Sequence, residues 1–461
     1  MRRLGLAAAL LMGTAGVAMA DPCDFGPTGV TFSPDDTNIS ILFDSFFSEP
    51  GNRGTCNIIM PAHNGPLAYP DLEGDVANDP DLFETYTATY KGYVEPGETA
   101  TLKVTENGLS DSTQLEGSLD EWEFSTFAGK DGNGNIVSNT TYTLPTGTTA
   151  EITTLDYLRF GTMTRDDAED SVDEIGLAQA GLVTHLDATA NLLTGGNLAL
   201  EGGDEFGVIG GLGSYTFGGT VRYNLAEGFS VLGGVSIFDM GAGGADAHGV
   251  LGAAAIRWVQ PDATGFRLFG EGGVQGAGMS MSFSRSYDYD HDIDGATTVT
   301  ATGSGDGLLG AGYLRAGVLI EPDANNEIVL SASVKQSVLG ISNYAEEVSA
   351  NNPFAADLSG SSASFTTVKA GVDWTTKLAV DVDLTASGAI GSTMGNTGTE
   401  AYIFGGGDVV GTPQSALFAE YGLRVGWTPT SDARIDGFVA GSTGVGIGTH
   451  AQVGAAYHMS F

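Results

Sequence analysis

Three groupings of residues carry potential chemistry. Asp288-Tyr289-Asp290-His291-Asp292-Ile293-Asp294-Gly295 alternates carboxylates with other residues before a glycine, the spacing at which oxygens wrap a hard cation. Counting from Asp290, position twelve is Ala301 where a calcium loop has Glu. Asp290, Asp292 and Asp294 are therefore a weak calcium candidate, and an acidic solvated loop is the plain alternative. Cys23 and Cys56 form an even pair, which in an oxidising compartment reads as one disulfide contributing about 3 kcal/mol. Arg222, Arg257, Arg267, Arg315, Arg424 and Arg434 fall on the polar phase of alternating segments, positions from which guanidinium groups pair with carboxylates.

No catalytic signature accompanies them: G-x-S-x-G, H-E-x-x-H, the P-loop and C-x-x-C are all missing from the sequence. The six histidines are isolated, and only His450 and His458 share a strand face. Ser/His/Asp sites assemble across distant positions, but no motif points to one. The expectation is a protein that is not an enzyme, with no cofactor beyond a calcium ion.

The elements that hold these groups follow from composition and pattern. The 461 residues carry 57 acidic against 18 basic side chains, a formal charge of -39, which repels nucleic acid and excludes it as a partner. The 70 glycines are scattered singly through alternating apolar segments, a pattern of closely packed, curved strands. Met1-Arg2-Arg3, the apolar run Leu4 to Val17 and Ala18-Met19-Ala20 have the order of a secretory signal peptide over 1–20, implying the Sec export pathway. No later window of eighteen residues is continuously apolar, so insertion into a membrane must be by strands.

Residues 21–155 are rich in Thr, Asn, Asp, Pro and Gly, with short alternating runs such as Thr99 to Val104. They read as a small exported all-β domain of hairpins. Residues 156–196 place Asp166, Asp167, Glu169, Asp170, Asp173 and Glu174 before Ile175, Leu177, Leu182, Leu186 and Leu192, with Gly195-Gly196 after them. This is an acidic amphipathic linker helix.

From 205 to 461 the period becomes two. Ile447, Thr449, Ala451, Val453, Ala455, Tyr457, Met459 and Phe461 share one face; His450, Gln452, His458 and Ser460 share the other. Leu417 to Trp427 alternate against Glu420 and Arg424, and Val368 to Trp374 against Lys369 and Asp373. Apolar-out, polar-in alternation is the dyad of a membrane strand. Short turns at 224–228, 260–265, 321–326, 375–377 and 428–432 alternate with longer connections at 284–306, 344–361 and 395–414. The count is about twelve antiparallel strands closing a transmembrane β-barrel, which needs no partner chain and is expected to be monomeric in outer-membrane lipid.

Two resemblances join this reading. The order Val30 to Asp35, Ile41 to Phe46, Cys56-Asn57-Ile58 and Tyr90-Lys91-Gly92-Tyr93 resembles a family of small secreted β-domains of unknown function, and implies a secreted fold without any ligand. The order of signal peptide, N-terminal domain, helix, twelve-stranded barrel and terminal Tyr457-His458-Met459-Ser460-Phe461 resembles an autotransporter of the type V secretion class. That resemblance makes Tyr457, Met459 and Phe461 a signal read by the barrel-assembly machinery, and 21–155 the passenger.

The lumen arginines and the acidic helix suggest a helix threaded through the pore, its carboxylates paired with Arg222, Arg257, Arg267, Arg315, Arg424 and Arg434. The alternative pairs the arginines with lumen acids such as Glu271, Asp373 and Glu420, leaving the pore open. Autotransporters of this class often cut between paired asparagines in the pore. Here Asn191 and Asn197 stand singly, and Asn351-Asn352 falls in a predicted outer loop, so the passenger is expected to stay attached.

The first functional expectation is a translocator barrel exporting or displaying its own N-terminal β-domain at the cell surface, for adhesion or binding. The second is an outer-membrane channel with a periplasmic N-terminal domain. A third, an outer-membrane lipid-modifying enzyme, requires an external His/Ser constellation that the sequence does not display.

Overall fold

The computed structural model describes residues 27–33, 38–48, 53–61, 82–118, 120–130, 135–143, 150–194, 204–213, 215–261, 265–291 and 295–460. The segment 1–20, Cys23, Asp292, Asp294, Gly195-Gly196 and Phe461 lie outside these residues, as does the Cys56 side chain.

The N-terminal strands are β1 (Pro27–Phe32), β2 (Asn38–Ser48), β3 (Arg53–Pro61), β4 (Leu82–Val94), β5 (Thr99–Glu106), β6 (Leu109–Glu116), β7 (Trp122–Gly129), β8 (Asn135–Thr143) and β9 (Ala150–Thr164). They form two sheets, β1-β2-β9-β4-β7 and β3-β8-β5-β6. The sheets enclose Ile39, Ile41, Tyr86, Leu102, Val104, Ile136, Leu155 and Tyr157. Alternation decides which side chains enter this core. In β5 the inward phase is Ala100, Leu102, Val104 and then Glu106, so the period of two carries a carboxyl into an apolar interior.

Glu106 is fully buried. The Tyr90 hydroxyl donates to it, as do Ser138 Oγ at 2.9 Å and Tyr157 OH at 3.1 Å. Burial pushes its pKa up to about 7, against the lowering effect of those hydroxyls. A carboxyl raised in the fold favours the protonated native state, so the stability it contributes is complete below its ordinary range near 4.5 and is lost as pH rises through about 7. We predict that the opening free energy of β5 and β8 in the full chain, read from amide exchange after correction for its intrinsic base catalysis, falls by roughly 3 kcal/mol between pH 5 and pH 8. Glu106→Gln should remove that slope; an unchanged slope would show that another group sets it.

Helix α1 (Arg165–Leu193) follows directly, its first turn closed by Thr164, whose side chain accepts from the Asp167 N–H. Residues 156–164, expected as the start of the helix, belong instead to β9. Their alternation buries Tyr157, Gly161 and Met163, and β9 is the central strand between β2 and β4.

Beyond α1 the strands are β10 (Glu205–Leu212), β11 (Tyr215–Ala226), β12 (Phe229–Ala242), β13 (Ala245–Val259), β14 (Phe266–His291), β15 (Gly295–Asp323), β16 (Asn326–Ile341), β17 (Ala356–Asp357), β18 (Ser362–Ala379), β19 (Val382–Gly395), β20 (Glu400–Ile403), β21 (Gly407–Val410), β22 (Ser415–Thr430), β23 (Ala433–Gly444) and β24 (Gly448–Ser460). Twelve of them pair in antiparallel succession, and β10 pairs with β24 from Glu205↔Ser460 to Leu212↔Val453, which closes the barrel. β17, β20 and β21 make a small separate sheet in the long connections at 342–361 and 396–414.

Three expectations are corrected here. The predicted loop 284–306 is mostly strand: β14 and β15 continue as a ladder to His291↔Gly295. The turn expected at 375–377 lies at Val380-Asp381, because β18 runs on to Ala379. Ile447, assigned to the lipid face, is fully buried and packs against Gly181 of α1.

The outer wall carries Phe206, Phe217, Ile237, Val250, Leu308, Leu314, Val334, Leu423 and Val453, each left at least two-fifths exposed. No water-soluble surface presents so continuous an apolar band. At the short-turn end Trp374 Nε1 donates to Asn326 at 3.2 Å and Trp427 Nε1 to Asp381 at 3.2 Å, aromatic bodies in the band with polar tips at its edge. Among the described residues no helix is long and apolar enough to cross a membrane.

Candidate functional site

The lumen is the site that the barrel builds, and α1 occupies it. At 29 residues the helix is about 43 Å long. It packs along β11 to β14 and β19 to β23. Apolar residues meet the wall on one side, with Val172, Ile175, Leu182 and Leu186 buried among Phe238, Met240, Met279 and Phe283. On the other side polar groups find polar partners. Asp173 accepts from the Thr412 N–H and hydroxyl, each at 2.6 Å, and Glu174 accepts from the Ser286 N–H at 2.7 Å. Lower down, the Gln179 side-chain oxygen accepts from Thr399 at 3.2 Å, and Thr184 meets Thr393 at 2.8 Å. The close fit needs small residues: a Cβ on Gly181 would lie 3.0 Å from Cβ of Ile447.

Deeper in the lumen the contacts become ionic. His185 Nδ1 lies 2.7 Å from Ser442 Oγ and Nε2 lies 3.0 Å from the Ile447 carbonyl. A carbonyl only accepts, so Nε2 carries the proton and Nδ1 accepts from the serine. Two residues on, Asp187 is held by Lys335 Nζ at 2.9 Å and Lys369 Nζ at 3.2 Å, and Lys369 continues to Glu420 at 2.9 Å. A cavity of about 50 Å³ beside Asp187 and Asn191, bounded by Arg315, Lys335, Lys369 and Asp373, has room for a few water molecules.

The six arginines do line the interior phase, and the carboxylates that they meet among the described residues lie on the wall. Arg222 faces Glu205 at 3.8 Å, Arg257 faces Glu271 at 2.6 Å, Arg267 faces Glu321 at 3.0 Å and Arg315 faces Asp373 at 3.3 Å. Arg424 reaches Asp436 at 3.3 Å, and Arg434 spans Asp383 at 2.8 Å and Asp436 at 3.0 Å. The reason is register. Arg257 and Glu271 stand directly opposite on β13 and β14, so such pairs come together as the wall forms. The expected helix–arginine pairing is therefore corrected: the lumen holds a helix and, independently, a self-paired ionic wall.

At the mouth with the longer connections, the N-terminal sandwich meets the barrel. Gly161 and Thr162 of β9 pair with His291 and Asp290 at the tip of β14. Phe160 packs edge-on to His291 at 4.6 Å and to Phe127 at 5.2 Å. The Glu84 N–H donates to the Gly405 carbonyl at 2.8 Å. The Phe83 ring lies so close to Gly406 that any Cβ there would overlap it. Arg285, fully buried, ties the collar together. It donates to both oxygens of Glu346 at 2.9 Å, to Ser171 at 2.8 Å and to the Phe354 carbonyl. Asp290, offered as a calcium ligand, sits exposed in this ladder. Asp292 and Asp294 lie outside the described residues, and among those described no three His, Cys, Asp or Glu gather as a metal set.

A helix therefore enters a closed barrel of twelve strands from one mouth and fills its lumen. This is a transmembrane-type β-barrel with a helix in its lumen.

The barrel is similar in three dimensions to the translocator domain of the autotransporter NalP from Neisseria meningitidis, at 14% identity and a TM-score of 0.42, covering 61% of this chain and 97% of that one. It is also similar to the transport unit of the autotransporter AIDA-I from Escherichia coli, at 14% identity and a TM-score of 0.32, covering 60% and 98%. An outer-membrane channel from Pseudomonas putida F1 is similar at 12% identity and a TM-score of 0.26, covering 57% and 97%. No protein-family model matches the sequence, and no characterised protein does. The likeness of residues 30–93 to a secreted β-domain family thus gains no support.

Asp187, Lys335 and Arg285 hold the lumen and mouth of the barrel together, and are not among the residues singled out from sequence. Asp187 had a signal: it is the one acid between Ile175 and Leu193, and a carboxylate in so apolar a helix must find a partner or stay ionised at high cost. Arg285 had none, because its partners lie 61 and 114 positions away.

Proposed function

We propose that this outer-membrane barrel displays its N-terminal β-sandwich on the external face of the membrane and keeps it there, with α1 remaining in the lumen as a plug. The observation that carries this reading is direction. The sandwich sits at the mouth formed by the longer connections, α1 descends from it through the lumen, and β10 begins at the short-turn end beside β24. Outer-membrane barrels turn their longer loops outward and their short turns to the periplasm, which supports an external position for β9. A channel with a periplasmic domain needs the sandwich at the opposite mouth.

Retention fits the contents of the lumen. Asn191 has no adjacent asparagine, and Asn352 of the Asn351-Asn352 pair is engaged in the collar, accepting from Tyr287 OH at 2.8 Å and donating to Glu346 at 3.2 Å. In this reading the chain uses Sec export, a Cys23–Cys56 disulfide steadies the sandwich, and Tyr457, Met459 and Phe461 present the last strand to the barrel-assembly machinery. Tyr457 and Met459 face the lipid. The barrel acts as a monomer, and a surface-binding or adhesive role belongs to the sandwich.

The test is protease treatment of intact cells carrying an epitope just after Asp21. Loss of the tag while the periplasm stays sealed is the expected result. A tag cut only after the outer membrane is ruptured would move the sandwich to the periplasm and favour the channel.

A further inference from the structure

A His/Ser constellation that spans strands is invisible until the register is known. In the wall, Asp239 of β12 stands opposite His248 of β13, His248 opposite Ser280 of β14, and Ser280 opposite Asp306 of β15. All four turn away from the lumen: Asp239, His248 and Asp306 are exposed and Ser280 is half-buried. Direct cross-strand neighbours hold their Cβ atoms about 5 Å apart, within reach of each other's side chains. The imidazole lies between the hydroxyl and a carboxylate, the order that nucleophilic acyl transfer uses. The next outward row toward the membrane is Ile237, Val250, Gly278 and Leu308. The four polar groups thus lie where the apolar band meets water.

A second feature, independent of the first, lies directly beneath. Gly276, Gly278, Gly310 and Gly312 occupy outward positions in β14 and β15. A Cβ on Gly278 or Gly310 would meet nothing within 4 Å, and neither has a positive φ. Neither packing nor backbone conformation asks for glycine there, and glycine inside a strand weakens it. These positions form a smooth floor leading to a lipid-facing groove of about 710 Å³, bounded by Val231, Ala254, Ile256, Val274 and Leu314. From Ser280 to Val274 the strand descends about 20 Å, which at the usual tilt is about 15 Å of depth, one leaflet of a hydrocarbon core about 30 Å thick.

We propose that this face is an ester hydrolase site for outer-leaflet lipids, with Ser280 as nucleophile, His248 as base, Asp239 positioning the imidazole and the glycine floor receiving the acyl chain. In the structure Ser280 Oγ donates to Asp306 at 3.0 Å, and Asn343 holds the other Asp306 oxygen at 3.5 Å. Rotation about χ1 turns the hydroxyl from Asp306 to His248. Ser280 Oγ then attacks the ester carbonyl carbon while its proton passes to the imidazole. The bond to the lipid alcohol breaks and His248 returns the proton to the leaving oxygen. Water, giving its proton to the same imidazole, attacks the acyl-Ser280 ester, and the proton returns to Ser280 as the fatty acid departs.

The experiment uses the full chain reconstituted in phosphatidylethanolamine vesicles doped with a fluorogenic phospholipid. Wild type should turn over, and Ser280→Ala and His248→Asn should each lose at least 100-fold, with a fluorophosphonate probe labelling Ser280 in the wild type alone. Gly310→Leu, which has open space for its side chain, should slow the long-chain phospholipid at least tenfold more than it slows a short soluble ester. Absence of turnover in wild type, or equal turnover in Ser280→Ala, would overturn the proposal. These residues belong neither to the plug nor to the sandwich, so either result leaves the display reading to its own test.

Discussion

Asp187→Leu should destabilise the barrel by about 3–5 kcal/mol and raise the frequency of conducting events in planar bilayers. Lys335 is almost fully buried and its ion-pair partner is Asp187, so the change strands an ammonium group in the lumen. Removing one member of a buried pair has a cost of this size because the remaining charge is desolvated without compensation. Lys369 suffers less, since Glu420 still holds it. Adding Lys335→Met should recover most of the stability, because two apolar side chains then fill the space of the pair. Thermal loss of heat-modifiable mobility and single-channel recordings read the two effects. An Asp187→Leu barrel as stable and as silent as wild type would show that the helix is held by packing alone.

Arg285→Ala should release the collar. Its guanidinium satisfies Glu346, Ser171 and the Phe354 carbonyl at once, and Glu346 in turn accepts from the Ala356 N–H at 2.9 Å and from Asn352. Without the arginine a carboxylate remains buried and unneutralised, a penalty of about 3–5 kcal/mol that connection 342–361 can relieve by lifting into water. The expected readout is rapid cleavage within 344–361 by external protease while β10 to β24 stay protected. Arg285→Lys should rescue little, because an ammonium group cannot repeat the two-point contact. Resistance of this connection in Arg285→Ala would place the collar's stability in Tyr344, Phe354 and Leu358 instead.

What sequence could tell follows from the range over which each signal acts. The alternation of Val368 to Trp374 or Leu417 to Trp427 is local, and it gave the number of wall strands and, outside the β14–β15 ladder and the β18–β19 turn, their place in the chain. The β14–β15 ladder beyond the membrane was missed because Asp288, Asp290 and Thr298 on its outer side read as loop composition, whereas Tyr287 and Tyr289 are buried in the collar. The helix was recognised but taken as one-sided. Its second face is polar yet buried, a state that only an enclosing wall makes affordable. Arginine partners depend on which residues the register sets opposite, as Arg257 and Glu271 show, and an acid count along one helix carries no information about it. The outer row of Asp239, His248 and Ser280 was illegible for the same reason.

The short pairing of β9 with β14 makes the sandwich and the barrel wall one mechanical body. In the proposed display, force pulling the sandwich away from the cell runs along α1 in the lumen, at a slant to the tilted wall strands. The contacts of Asp187, His185 and Thr184 are then loaded in shear, all at once, while the two-residue strand pairing at the mouth meets the load first and yields locally. Such an arrangement is compliant at the surface and stiff in depth, so a tug of short duration is absorbed at the collar before it reaches the anchor in the membrane.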